Sequence, residues 1–395
     1  MTAAVPELGA AIRGEWGLDA DFLTVNHGSY GATPRAVLAA QDAWRRRMEA
    51  QPSRFMRQEL PMALRAAAAR LAAFLGGAGD NLAFVENATV GCNAVLGSTA
   101  LGAGDEILVL AHVYGAVRNA VRHVTTQAGA RLVEAAVPFP LGDDDGVVAA
   151  VAAAITPRTR LAVLDHITSA SALVLPIGRM IAACHAAGVP VLVDGAHGPG
   201  QVDIDLVAMD ADWYVGNCHK WLMAPKGCAF LYARADRQAG LHAGTVSHGY
   251  GRGFLAEFDW TGTRDPSAWL AVDAALDFHA RLGGPALRRR NAALAAEAAA
   301  ALAGQLGTET TGGNALAGAM RLVRLPLAGT VDAARALALQ NALLAAGTDA
   351  PLHLLAGAVW LRISVQAYNT LEDFHRLGPL VAGVLAAEPP VTPLG

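Results

Sequence analysis

Short runs that are apolar on both faces recur through the middle of the chain, separated by alanine-rich stretches of helical period. They are EILVLA at 106–111, RLVEAAV at 131–137, RLAVLDHIT at 160–168, VPVLVD at 189–194 and GCAFLYA at 227–233. A strand without a polar face must be covered on both sides, and helix-length connections supply the cover. The pattern therefore predicts a buried, mostly parallel sheet wrapped by helices. Ligands of such sheets sit beyond the carboxyl ends of the strands. The polar residues to interrogate are those that end or follow an apolar run: His112, Tyr114, Asp165, His166, Asp194 and His197. After about residue 266 the pattern turns to longer helices such as SAWLAVDAALDFHARLG, then to short strands around MRLVRLPL and VWLRISV. The expected organisation is a large α/β domain over 25–265 and a smaller α+β domain from 1–24 and 266–395. The N-terminal helix and the extended stretch near FLTVNHGS would complete the smaller one.

With 395 residues, 53% of them hydrophobic and 16% charged, the chain has ample material for such a core. Its 42 glycines and 19 prolines follow no short period, which excludes collagen-like and low-complexity classes. Thirty basic residues against 34 acidic ones give a net charge of -4. No general field draws this chain to nucleic acid or to an anionic membrane, and neither is expected as a partner. The start, MTAAVPELGAAIRGEW, has no basic n-region and no continuous apolar h-region, and no apolar run approaches a bilayer span, so a cytoplasmic chain is expected. Cys92, Cys184, Cys218 and Cys228 lack CxxC spacing and are expected to be buried thiols, with no disulfide framework and no metal site.

The cations are lopsided: 28 arginines and two lysines, Lys220 and Lys226. Arginine replaces lysine on a solvated face but cannot form a Schiff base, so a lysine kept against this bias is a candidate for chemistry. Lys220 lies in GNCHKW, and 26 positions earlier VPVLVD ends in Asp194, followed by GAH. A carboxylate closing a buried strand and a lysine in the loop after the next strand are what pyridoxal phosphate chemistry needs. The amine holds the cofactor aldehyde as an imine. The carboxylate pairs with the ring nitrogen and keeps it protonated, so the ring draws electrons from the substrate α-carbon. Taken alone, Asp194 reads equally as a helix N-cap. Lys226, in APKGCAF, reads as part of a turn before a strand. The runs Arg45–Arg47 and Arg288–Arg290 read as solvated helix faces.

These residues resemble the class V aminotransferase family of fold-type I pyridoxal phosphate enzymes, and within it the isopenicillin N epimerase-like branch. The matching stretches are VNHGSYGATP, VENATVGCN, GDEILVLAHVYGAVRN, LDHITSASALVLPI, VLVDGAHGPG, GNCHKWLMAPKGCAFLYAR, FDWTGTRDP and WLRISVQAYNT, in order from 25 to 370. DGAH with HKW marks the superfamily, and DHITS with WTGTRDP points to the branch. The resemblance implies that Lys220 carries the internal aldimine, that Asp194 binds the pyridinium nitrogen, and that His197 reaches the ring hydroxyl with Ser169 or Thr168 as a second partner. It makes ENATVG the phosphate cradle, built from Thr89 and the amides of Ala88, Thr89 and Val90, with Asn217 and His219 as further phosphate ligands. Thr263 would reach the phosphate of a neighbouring subunit, which implies a homodimer. His112 or Tyr114 would stack on the ring, His112 being preferred. Arg362 in LRISV matches the arginine that takes the substrate α-carboxylate, Asn26 falls with the substrate-binding residues, and Arg54 or Arg57 of QPSRFMR would line the entrance or form a solvated arginine pair on a helix end.

Once the α-proton has moved to Lys220, four outcomes are open: exchange, epimerisation, transamination and β-elimination. The expected activity is an epimerase or racemase acting on an amino acid or an amino-acid-derived substrate. A C–S β-lyase or a class V aminotransferase is the alternative, and a catalytically silent binding protein is the alternative of another class. Epimerisation by two bases needs a proton donor opposite Lys220, for which Tyr114 or His112 is the expectation. Persulfide-forming desulfuration is not expected, because the last cysteine, Cys228, precedes the C-terminal domain.

Overall fold

The computed structural model describes residues 5–140, 143–311, 318–329 and 331–387. In chain order its strands are β1 (Leu23–Thr24), β2 (Leu82–Val85), β3 (Glu106–Leu110), β4 (Arg131–Ala135), β5 (Thr159–Asp165), β6 (Val191–Asp194), β7 (Trp213–Asn217), β8 (Ala229–Ala233), β9 (Met320–Arg324), β10 (Thr348–Asp349), β11 (Leu352–Leu355) and β12 (Ala358–Ser364). The chain forms two compact units. The larger is Thr33–Ser169 with Val174–Arg281; the smaller comprises the described parts of 1–32, 170–173 and 282–395.

The larger unit is built on one sheet in the order β2-β8-β7-β6-β5-β3-β4. Neighbours run parallel except for β8, which is antiparallel to both β7 and β2. Strands β2, β3, β6 and β8 are buried at every residue, which is why they read as continuous apolar runs. The edge strand β4 carries exposed Arg131 and Glu134, as a strand with an open flank can. Helices Ala88–Ser98 and Gly115–Ala128 cover one face, where Cys92, Val95, Val117 and Val121 join Val109, Val163, Leu192, Val215 and Leu231 in one apolar cluster. Each such side chain contributes about 1.5–3 kcal/mol of transfer free energy. After β3 the chain steps outward to β4 and then returns past β3 to lay down β5, so the connections wind in opposite directions. With right-handed crossovers, helices Asp144–Ala154 and Ile177–Ala186 then fall on the other face. The reversal between β3 and β5 is a topological switch point, where a crevice opens at the carboxyl ends.

The smaller unit holds the antiparallel sheet β11-β12-β9 and the parallel pair β1-β10. Helices Pro285–Leu306, Ala333–Ala345 and Leu371–Ala386 share its apolar cluster with Val323, Leu361 and Ile363. The units divide at 32/33 and 281/282, not at the expected 24/25 and 265/266. Residues 25–32 go with the small unit because β1 pairs β10 and Asn26 bridges Ser364. Ser267–Leu270 and Val272–Arg281 go with the large unit because they pack on helices Arg35–Ala50 and Leu60–Phe74. Among the described residues no helix is long and apolar enough to cross a membrane, and no group of three or more His, Cys, Asp or Glu side chains is placed to hold a metal ion.

Candidate active site

Asp165 closes β5, Asp194 closes β6 and Asn217 closes β7. Asp165 and Asp194 are register partners on parallel strands. Partners in register point to the same face, so the two carboxyls lie side by side. They are 2% and 4% exposed. Burial pushes both upward from the usual carboxylate range, and the charge of Asp194 raises Asp165 further. Lys220 favours the ionised form of Asp194. Of two carboxyls that cannot comfortably ionise together, Asp194 is therefore the one that keeps the charge.

The loop bearing Lys220 is fixed by its own backbone. The N–H groups of Cys218 and His219 both donate to Cys228 O (3.0 and 3.2 Å), Ala224 N–H donates to Cys218 O (3.0 Å), and Met223 N–H donates to Lys220 O (3.1 Å). Met223 is held at φ 62°, the left-handed region, which a residue with a long side chain seldom enters. His197 lies against the amine. The indole N–H of Trp221 donates to its Nδ1 (3.3 Å), and an indole can only donate, so the neutral ring carries its proton on Nε2. Nε2 lies 3.0 Å from Lys220 Nζ. The glycines of DGAHG have a steric origin: a Cβ at Gly195 or Gly198 would overlap the ring end of Tyr214. The Tyr214 hydroxyl is 3.0 Å from His166 Nδ1 beneath the strand ends.

Asn87 caps helix Ala88–Ser98, accepting from Val90 N–H at 3.0 Å, and Ala88 N–H donates to Asn217 Oδ1 at 2.9 Å. Two of the three amides expected to hold a phosphate thus have acceptors within the chain, because the cap residue sits directly ahead of them. The first-turn donors that remain are the N–H and hydroxyl of Thr89. With Oδ1 accepting, the Asn217 amide turns its NH2 outward as a donor. His219 changes character. Burial lowers it to about 4, and its Nδ1 contacts Cys228 O at 3.3 Å, so the neutral ring offers Nε2 as a lone pair rather than a donor. Gly91 lets the helix approach β7, since a Cβ there would meet Val215 Cγ1 at 2.6 Å. Glu86, just ahead of the cap, pairs with Arg264, whose guanidinium lies 4.5 Å from the Trp269 ring. The ENATVG and WTGTRDP stretches are thereby joined, and Thr263 stands exposed beside Arg264.

His112 is half-buried after β3, with Nε2 3.0 Å from Val137 O. A carbonyl only accepts, so Nε2 carries the proton; Nδ1 is buried and has no hydrogen-bond partner. Desolvation lowers the ring below its ordinary value and keeps it neutral. Tyr114 is 47% exposed at the start of helix Gly115–Ala128. Thr168 is buried and Ser169 half-buried just after β5. Arg54 is exposed and donates to Glu59 at 2.8 Å, and Glu59 also takes Arg47 at 2.6 Å. That network is the solvated ion pair of a helix end, so Arg54 is committed to its own surface; Arg57 is exposed as well. In the smaller unit, Arg362 is 2% exposed and its Nη2 donates to Asn26 Oδ1 (3.1 Å) and Ser29 Oγ (2.8 Å). Asn26 is braced in turn by its amide donating to Asp349 Oδ2 at 2.6 Å. All four cysteines are buried, and burial pushes Cys184 to about 12 and Cys92 and Cys228 well upward.

The large-unit donor set fits pyridoxal phosphate: a lysine amine 3.0 Å from His197 Nε2, a buried carboxylate near it, first-turn donors at Thr89 with the Asn217 amide, and two buried polar atoms, Asp165 Oδ2 and His112 Nδ1, without partners. Residues 31–377 match the family described as Aminotransferase class-V, and the chain belongs to that family. It is a pyridoxal phosphate-dependent enzyme with the fold of the fold-type I enzymes. It is 33% identical over 399 residues to a probable chloroplastic L-cysteine desulfhydrase of Arabidopsis thaliana, covering 93% of this chain and 84% of the relative. It is 37% identical over 388 residues to the isopenicillin N epimerase of Amycolatopsis lactamdurans, covering 93% and 96%. A C-DES mutant with glycine covalently linked to the PLP cofactor superposes with a TM-score of 0.79 over 94% of this chain and 98% of that one, at 21% identity. The sequence left three features without a role: Asp165, which it flagged only as a strand-end polar residue, the Trp221–His197 bond and the Glu86–Arg264 pair. Strand position was the available signal for the first; the other two are tertiary contacts.

Proposed function

We propose that the protein moves the α-proton of an α-amino acid and inverts that carbon, acting as an epimerase or racemase in the manner of the isopenicillin N epimerase branch. The observation that carries this reading is His112, a neutral ring whose tautomer is fixed by Val137 O and whose buried Nδ1 keeps an unused lone pair. Inversion requires two proton-handling groups, one on each side of the carbon, one entering as a base and the other carrying the proton to be returned. Neutral His112 takes the α-proton at Nδ1 while the Lys220 ammonium returns one; in the opposite direction Lys220 is the base and His112, protonated at Nδ1, the acid. Bound pyridoxal phosphate supplies an aldehyde for the lysine and a protonated ring that draws electrons from the α-carbon. Lys220 Nζ takes or returns the proton at the α-carbon, with His197 steadying the amine. Asp194 holds the ring nitrogen's proton, and Thr89 with Asn217 binds the phosphate. Arg362 takes the substrate carboxylate, its guanidinium set by Asn26 and Ser29. Thr263 serves the cofactor phosphate of a second copy, which makes the working enzyme a homodimer.

A second reading, a C–S β-lyase, draws support from the desulfhydrase names among the relatives. Expelling a thiol needs only one base, and with four buried thiols no cysteine is available to carry sulfur. The test is to mix the reconstituted protein with L- and D-amino acids and cysteine conjugates in deuterated water and follow products by NMR. Deuterium at the α-carbon with inversion supports the epimerase, whereas pyruvate establishes the lyase and a keto acid the aminotransferase. If Lys220→Ala keeps the visible cofactor band, the assignment of Lys220 is wrong.

A further inference from the structure

The small sheet β11-β12-β9 has one apolar face and one that carries polar side chains. Val359, Leu361 and Ile363 of β12 enter the apolar cluster, so the residues that alternate with them, Trp360, Arg362 and Ser364, stand on the opposite face. His353 of β11 is the register partner of Trp360 and shares that face. It is thus the diagonal neighbour of Arg362, about 7–8 Å away along the backbone, a gap that a ring and a long side chain bridge. The guanidinium is aimed by neutral groups: Nη2 donates to Asn26 Oδ1 and Ser29 Oγ, and the Ser29 hydroxyl gives its own proton to Asn26 Oδ1 at 2.8 Å. His353 is half-buried, but its Nε2 is buried and has no hydrogen-bond partner among the described residues. The indole N–H of Trp360, across the pair, donates to Leu355 O at 3.3 Å instead. Burial, with the charge of Arg362 behind it, lowers the His353 ring to about 3. A second positive charge beside a guanidinium and away from water is unfavourable, so the ring stays neutral and has one N–H to give.

We propose that His353 is a specificity-determining residue of the Arg362 site, its Nε2–H donating to the carboxylate that the guanidinium holds. The proposal rests on the role given above to Arg362. A carboxylate has more lone pairs than one guanidinium edge uses, and a neutral donor takes up another without adding charge. The site then sets one positive charge against one negative charge. It selects a carboxylate over a carboxamide, whose NH2 would meet these donors with a donor. Two substitutions divide the roles open to His353. His353→Phe keeps the ring and removes the N–H, whereas His353→Gln removes the ring and restores an uncharged N–H donor. A residue that only fills space tolerates the first and suffers from the second; a donor does the reverse.

The first measurement titrates the holoenzyme with propionate and with propionamide and follows binding by ligand-observed NMR. The wild type is expected to bind propionate about tenfold or more tightly than propionamide. Propionate binding should weaken about tenfold in His353→Phe and return to within about threefold of the wild type in His353→Gln. The second is steady-state kinetics with the amino acid that exchanges its α-proton fastest. There His353→Phe raises KM about tenfold and leaves kcat little changed. Wild-type affinity for propionate in His353→Phe overturns the proposal, as does a His353→Gln that binds propionate no better than His353→Phe. Should His353→Phe not fold, His353→Leu, which also lacks the donor, takes its place against His353→Gln. Equal affinity of the wild type for propionate and propionamide, or undiminished propionate binding in Arg362→Lys, overturns the role of Arg362 and this proposal with it. Weakened binding in Arg362→Lys with none in His353→Phe overturns His353 alone.

Discussion

Asp212, just ahead of β7, and Asp194, at the far end of β6, are both buried in the same sheet, yet their company differs. Asp212 is fully buried and takes bonds from Val191 N–H (2.7 Å), His185 Nε2 (2.8 Å), Arg234 Nη2 (3.1 Å) and Arg237 Nε (2.6 Å). Glu106, at the amino end of β3, is treated alike: Thr156 and Arg158 donate to it, with Arg131 at 3.2 Å. At the carboxyl end Asp194 accepts from Ala196 N–H at 3.0 Å, and Asp165 Oδ2 has no partner. One end of the sheet satisfies its buried charges completely; the other leaves them for something to be bound. A fold that spends stability at one edge and secures it at the other is expected of a site held on a rigid scaffold.

Exchanging losses between the two ends gives the largest effects. Lys220→Ala removes the proton carrier, and α-proton exchange in deuterated water should fall about a thousandfold or more, with the visible cofactor band lost. Asp194→Asn should cost about a hundredfold in the same assay while leaving the denaturant midpoint unchanged or higher, because a buried, desolvated carboxylate is replaced by a neutral group. Asp212→Ala should do the reverse. Stripping one partner from a buried charge network costs about 3–5 kcal/mol, so the denaturation midpoint drops while folded protein at low temperature keeps its cofactor band. If Asp212→Ala loses activity without losing stability, the contrast between the edges fails.

In the smaller unit, Arg362→Lys keeps the charge but loses the planar fork, and a rise in KM of about tenfold with kcat little changed is expected from steady-state kinetics. An unchanged KM would remove Arg362 from substrate binding.

The smallest effects are in pH dependence and differ in sign. Asp165 and Asp194 are raised by burial, so their contribution to stability is complete below the unfolded value near 4 and is lost as pH rises through the raised folded values. Glu106 is lowered, first by the Thr156 hydrogen bond and then by Arg158, so its contribution is present above the unfolded value and is lost as pH falls. Urea midpoints of the cofactor-free protein should show Asp165→Asn gaining on the wild type as pH rises from 5 to 8. Glu106→Gln should flatten the loss on the acid side. The same slope in both variants would mean that the two edges are alike.

Much of this arrangement could be read from the residues. The five apolar runs are strands β3, β4, β5, β6 and β8 to within a few residues; burial on both faces makes β3, β6 and β8 continuous, while β4 keeps exposed Arg131 and Glu134. The strands β2 and β7 were not among them; β2 is held in place by β8, and β7 lies between β6 and β8. Asp194 and Lys220 were visible through strand position and the scarcity of lysine. Asp165 occupied an equally suggestive position, but its neighbour Asp194 is brought beside it only by the folded sheet. The helix start proposed to hold the phosphate was half legible. Asn87 as a cap is a local signal, yet the bond from Ala88 to Asn217 spans 129 positions and takes away an amide that the motif alone would offer. The ion pair of Arg54 with Glu59 could not be read from a motif beside a helix end.

The central claim is that Lys220 and His112 serve opposite sides of one carbon. The most direct measurement follows a single L-amino acid substrate in deuterated water with wild type and His112→Phe, resolving both enantiomers and their α-deuterium content. The expected result is inversion with deuterium in the wild type, and in the variant deuterium gained with the L configuration retained. Inversion at the wild-type rate in His112→Phe would contradict it.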